Sequence, residues 1–440
     1  MLTTSLFAQL PRRAFLGTQL YTVNDSVARL YKLPEAQGAL IQRVVENSSA
    51  KSVGLQPGDV IVSVQDKNIA THLEVVETIG SYREGDVIQF SYYRNGELQH
   101  AEAPLKGFPK ETSEHAEVIY DAVPYDGGYV RTIIRKPPGE GPHPAFFFIQ
   151  GAHCGSIDGM NPRSPVAMLL EGLTKKGYVV VKTEKAGIGD SRNKIHCTDC
   201  DLDYETRLFT ASFNQLSQYD FIDTSNVFVF GHSMGGVQAP LMQTDFPPRG
   251  IAVFGTIARP WFEYYMDIAR KQRLLVGQDY LENEKHVARA IPFYYKLMIE
   301  KMSPEEMKQD PELKDFMYNQ WSYDGEGRFH GRHYTFWQQL QDTRLFTAWA
   351  STPAHVLSIW GEGEFVALNP FEHELIADIV NQYNPRKARL YSMPNIDHGF
   401  VRVEDVQHAI DIRNDWEYQY THFNNNLTDV LHEWMQEIIN

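Results

Sequence analysis

At 440 residues the chain exceeds what one hydrophobic core usually organises, about 100–250 residues, so two or more domains are expected. With 42% hydrophobic and 22% charged residues the composition sits near the globular norm, which excludes a fibrous or low-complexity protein. A net charge of −15 without any basic run repels nucleic acid and anionic membranes, and apolar runs such as Ala145 to Ile149 fall far short of the ~20 residues of a membrane span, so a soluble protein is expected.

The first nine residues, MLTTSLFAQ, lack the basic start of a complete signal peptide, yet Leu-Phe-Ala-Gln resembles the tail of one. Residues 1–14 are read as its remnant. Of Cys154, Cys197 and Cys200, a disulfide from Cys154 to one of the other two would suit an oxidising compartment, so a periplasmic or secreted location is preferred to the cytoplasm.

Residues 15–106 alternate short β-rich stretches with turn signals, and the polar, Pro-containing stretch 107–115 has a linker's composition. Within the first segment, Gly54 and Gly58 can take positive φ, and Pro57 pre-sets the turn that feeds a buried strand, Val60 to Val64. The run from Gly38 to Ile69 resembles the centre of a PDZ domain. That resemblance implies a groove taking an extended C-terminal peptide as an added strand, its carboxylate held by the loop Phe15-Leu16-Gly17-Thr18. The fourth loop position is Thr where an apolar residue is usual. Peptide binding and a docking spacer whose groove is filled by its own chain are both compatible with such a segment.

From 116 to 440, strands and helices alternate as a mostly parallel sheet with helices on both faces requires. A hairpin is expected over Val118 to Val123 and Tyr129 to Arg135, then strands at Ala145 to Gln150, Tyr178 to Lys182, Val227 to Phe230 and Ile251 to Gly255. Helices are expected after Ser164-Pro165, over Glu205 to Tyr219 and over Met234 to Asp245. The rhythm stops at 259–346, a helical, aromatic-rich stretch read as a cap. It resumes with His355 to Trp360, a helix to Tyr383, a strand Arg389 to Met393 and a terminal helix.

Gly231-His-Ser233-Met-Gly235 lies between an apolar strand and a helix, the context of a nucleophile elbow. With the cap downstream, this segment resembles the α/β-hydrolase superfamily, most closely its serine-aminopeptidase and esterase-like branch. The resemblance implies an α/β fold with a mostly parallel sheet and helical cap, and the order serine, acid, histidine.

Ser233 is then the nucleophile, and His398, in the loop after the last strand, is its base. Glu364 of Gly361-Glu-Gly-Glu364 takes the acid's position, with Glu362 as the alternative, while Asp397 is read as a loop cap. His232 is expected to pack below the turn. The N–H groups of Met234 and Ala152 are the candidate oxyanion donors. Lys185-Ala-Gly-Ile-Gly-Asp-Ser191 is read as a structural turn, since no Lys-Ser/Thr follows at phosphate-loop spacing. Cys197-x-x-Cys200 lacks the second pair of a metal site.

The expectation is a serine hydrolase that cleaves an ester or amide bond through an acyl-enzyme, with no metal or organic cofactor. Its partners would be a small ester or peptide substrate and a peptide C-terminus at the PDZ groove. The alternative is a non-catalytic PDZ adaptor on a hydrolase scaffold.

Overall fold

The computed structural model describes residues 10–440, so the first nine residues of the stretch 1–14 read as a signal remnant lie outside it. The chain forms two compact units, one ending at Glu111 and one running from Thr112 to Asn440. Among the described residues no helix is long and apolar enough to cross a membrane.

In the N-terminal unit, five strands pair in the order Thr18–Thr22, Ala39–Val44, Val60–Val64, Val87–Arg94 and Glu97–Pro104, with the short Lys67–Asn68 attached to Val60–Val64. Alternate residues of these strands, Ala39, Ile41, Ile61, Ile88 and Phe90 among them, turn inward and are nearly or fully buried. Gly54 ends the helix Ser49–Val53 in the left-handed region, at φ 82° and ψ 18°, the geometry the sequence pattern asks of it. The next turn is closed by the buried Asp59, which accepts from the Gln56 N–H at 2.7 Å and pairs with Arg94 at 2.7 Å.

The C-terminal unit is built on an eight-stranded sheet. Its order is Ala388–Met393, His355–Gly361, Gly250–Phe254, Ile222–His232, His143–Ile149, Val179–Thr183, Gly128–Lys136, Glu117–Tyr125. The neighbours from Ala388–Met393 to Val179–Thr183 run parallel, and the last two strands add an antiparallel hairpin. Both faces are covered, which explains why the central strands read as continuous apolar runs. Phe146 and Phe148 face the helices Pro165–Lys175 and Asn426–Ile439, while Phe147 faces Leu202–Asn214 and Phe371–Tyr383. Each such buried phenyl contributes about 1.5–3 kcal/mol.

Several boundaries depart from the sequence reading for local reasons. The helix expected over Met234 to Asp245 stops at Gln238 and gives way to a 3-10 turn, Ala239–Leu241, because Pro240 cannot donate to a continuing ladder. The helix expected from Glu205 starts at Leu202, since Asp201 caps it by accepting from the Tyr204 N–H. Short helices at Val406–Asp411 and Trp416–Thr421, capped by Asp405 and Asp415, were not anticipated.

The stretch between the strands Gly250–Phe254 and His355–Gly361 is mainly helical, around an aromatic cluster in which Tyr265 stacks on Tyr294 and meets Trp321 edge to face, as does Phe293, with Trp337 tilted against Trp321. It is not helical throughout. Arg328–Phe329 and Arg332–His333 form a small hairpin whose turn residues, His330 and Gly331, take φ of 48° and 73°. Two successive positive φ values match the twist of a tight hairpin and cannot be absorbed by a helix.

Candidate active site

The sheet order changes direction around His143–Ile149, with the next strand in sequence on one side and the following one on the other. Loops leaving the carboxyl ends of strands at such a point face a shared crevice. Ser233 and the segment 150–154 both emerge there.

Ser233 sits between Ile222–His232 and the helix Met234–Gln238 with φ 56° and ψ −119°. This is a strained conformation for a residue with a Cβ. Its surroundings enforce it: a Cβ on Gly231 would collide with the Gly235 carbonyl, and one on Gly235 with the Ile149 carbonyl. The Ser233 N–H donates to the Phe254 carbonyl at 2.9 Å, tying the turn to the end of the adjacent strand.

His398 lies in the loop after Ala388–Met393 and donates from Nδ1 to Oε2 of Glu364 at 2.8 Å. This leaves the lone pair of Nε2 to accept a proton. Glu364 is fully buried, and its Oε1 accepts from the N–H groups of Val366 at 2.7 Å and Ala367 at 3.0 Å. Burial works to raise its pKa, but His398 and these donors outweigh it and hold the carboxylate ionised. For His398 burial pulls the pKa down, and the charge of Glu364, the hydrogen bond that His398 donates to it and Asp397 together leave it raised.

Glu362, the alternative acid, is exposed and accepts from Ser392 Oγ at 3.0 Å, away from the imidazole. Asp397 caps the loop by accepting from the N–H groups of Gly399 at 2.9 Å and Val401 at 2.8 Å. His232 donates from Nε2 to the His398 carbonyl at 2.8 Å, and its ring packs on Phe400. Burial, and then the neighbouring His398, push its pKa down to about 3, so it stays neutral and holds the histidine loop in place.

Gly151 brings the segment 150–154 against the serine: a Cβ there would lie 3.4 Å from Ser233 Cβ. The N–H groups of Met234 and Ala152 have no hydrogen-bond partner among the described residues. Behind the segment, Cys154 is joined to Cys197, and Cys200 is a free, buried thiol. Gly255, a position the sequence reading passed over, has φ 59°, and a Cβ on it would meet His398 Nδ1 at 2.7 Å and Glu364 Oε2 at 2.8 Å. Its place directly after a buried strand was the one available signal.

In the N-terminal unit the carbonyls of Phe15, Leu16 and Gly17 all turn back to accept from Ser49, Ala50 and Val45. In planar trans peptides this aims the N–H groups of Leu16, Gly17 and Thr18 the other way. They border a cavity of about 360 Å³ lined by Leu20, Val75, Val76 and Ile79. Among the described residues Thr18–Thr22 is an edge strand that pairs with Ala39–Val44 alone, its other backbone edge lying on the side of the helix His72–Gly80.

Residues 14–105 match the PDZ domain family. A probable periplasmic serine endoprotease, DegP-like, from Pseudomonas putida is 30% identical over 102 residues, which is 23% of this chain and 21% of that protein. A protein of the same description from Marinomonas sp. is 31% identical over 109 residues, 25% of this chain and 23% of its own length. The chain thus spans about a fifth of the length of the curated relatives it matches. Among solved structures, Est1E from Butyrivibrio proteoclasticus with ferulic acid bound aligns over 72% of this chain and 98% of its own, at 16% identity and a TM-score of 0.45. The chemistry of the C-terminal unit has to be read from its own side chains.

Proposed function

We propose that the chain is a serine hydrolase of the α/β-hydrolase type that cleaves an ester or amide bond. Ser233 attacks the carbonyl carbon while His398 Nε2 takes its proton, and Glu364 orients the imidazole and stabilises the imidazolium that forms. The Met234 and Ala152 N–H groups receive the developing oxyanion. His398 then returns the proton to the leaving group, and water, deprotonated by the same imidazole, releases the acyl group. The observation that carries this reading is the buried Glu364–His398 pair at 2.8 Å, with the His398 ring 4.9 Å from that of His232, the residue before a serine held at positive φ.

The proposed layout is a PDZ domain at 15–106, a linker at 107–115 and a hydrolase domain at 116–440 with a cap at about 259–346. In the PDZ domain the N–H groups of the loop Phe15 to Thr18 would hold a peptide carboxylate, the rest of the peptide adding to the edge strand Thr18–Thr22. The periplasmic descriptions of the relatives and the Cys154–Cys197 bridge support an exported protein.

A fluorophosphonate probe tests the reading. Wild type labels covalently at Ser233, and Ser233→Ala does not. A folded wild type that stays unlabelled at neutral pH while binding peptide would instead support the adaptor reading. A panel of p-nitrophenyl esters and aminoacyl anilides separates esterase from peptidase activity.

A further inference from the structure

Behind the segment 150–154, three charged side chains are sealed from solvent. Lys185, Glu205 and Arg332 expose no more than 1% of their side-chain surface. Glu205 pairs with Lys185 at 3.1 Å and with Arg332 at 2.8 Å. Burying three charges is expensive, and replacing such a group with packed apolar residues is often neutral or stabilising. Stability alone therefore gives a poor account of the cluster, and its other contacts give a better one. Lys185 Nζ donates to the Gly151 carbonyl at 2.7 Å, and Arg332 Nη1 donates to the Ala152 carbonyl at 3.1 Å.

These carbonyls belong to two successive peptide units of the oxyanion loop. The Gly151 carbonyl and the Ala152 N–H share one rigid plane and point in opposite directions. An ammonium that grips the carbonyl from behind therefore fixes the direction of the N–H in front. It also draws electron density from that end of the amide, making the N–H a better donor. Arg332 does the same for the next unit, and it is delivered by the cap's small hairpin. Glu205 also accepts from Gln238 Nε2 at 3.1 Å, which joins the cluster to the helix that begins at the nucleophile. Burial lowers the Lys185 pKa to about 8 against the pull of Glu205, so the ammonium keeps its charge at neutral pH.

We infer that Lys185 is a positioning residue that aims and polarises the Ala152 N–H toward the oxyanion, while Arg332, sharing the Glu205 carboxylate, fixes the peptide unit that follows. This rests on the hydrolase reading above and adds to it a role for the cap in the chemical step.

The test uses the full chain with a p-nitrophenyl ester and a trifluoromethyl ketone whose serine adduct carries an oxyanion. Lys185→Met leaves Glu205 paired one to one with Arg332, so the buried charge stays balanced. It is expected to lower kcat about 10²–10³-fold, the loss typical of one oxyanion donor, with KM within about threefold. The ketone's Ki should rise by the same factor. Arg332→Met should act in the same direction, Arg332→Lys should recover part of the loss, and this pair carries the test if Lys185→Met does not fold. A merely structural role would reduce the titre of labelled sites and leave the Ki of the survivors unchanged. Folded Lys185→Met and Arg332→Met with wild-type kcat and Ki, beside an inactive Ser233→Ala, would overturn the inference and leave the hydrolase reading standing. A wild type that neither labels nor turns over ester removes the hydrolase reading and this inference with it.

Discussion

Ser233 holds a backbone conformation that costs on the order of 1–3 kcal/mol, and the collisions waiting at Gly231 and Gly235 show what keeps it there. Ser233→Gly should therefore abolish turnover and raise the unfolding free energy by about 1 kcal/mol in a urea titration. Gly255 predicts the reverse coupling. Gly255→Ala adds one methyl group where His398 Nδ1 and Glu364 Oε2 meet, and should remove most activity although the residue offers no reactive atom. The pH profile follows from the raised pKa of His398: the base must be neutral, so kcat/KM falls with acid along a limb lying above the ordinary histidine value of 6.5. Glu364→Gln removes the pull that raises it. The limb should move to lower pH, and kcat should drop by on the order of 10³–10⁴.

The edge strand Thr18–Thr22 and the helix His72–Gly80 together make the groove, and Val76 of that helix lines it while 61% exposed. Val76→Asp should weaken binding of a fluorescent C-terminal peptide at least tenfold by anisotropy and leave the melting temperature unchanged. Local pattern made this unit and the central sheet legible in the sequence. Buried parallel strands are continuous apolar runs, and glycines at 54, 231 and 235 mark places where a side chain has no room. Glu364 and His398, 34 residues apart, were reachable because strand order puts both on one sheet edge. What could not be read was set by distant partners. Arg332 meets Ala152 across 180 residues through a hairpin hidden in an aromatic, helical context, and Lys185 looked like part of an ordinary Gly-rich turn. The helix after Ser233 ends early at Pro240, whose missing N–H overrides the helical pattern of the residues beyond it.

The bridge between Cys154 and Cys197 spans 43 residues and ties the segment beside Ser233 to the loop before the helix Leu202–Asn214. Replacing both cysteines with alanine should cost about 2–5 kcal/mol in a denaturant titration. The same loss should follow when wild type is melted in reductant. The unpaired Cys200 lies three positions beyond Cys197, so a nascent chain can close onto the wrong sulfur, and nothing in local sequence spacing forbids it. In the finished fold, burial and then the nearby Glu205 push its thiol up to about 12, so it stays protonated at neutral pH. A buried thiol that keeps its proton is a poor nucleophile, so exchange onto the Cys154–Cys197 bridge slows once the core closes. Cys200→Ser should raise the yield of oxidative refolding, whereas a disulfide isomerase should help the wild type more than the variant.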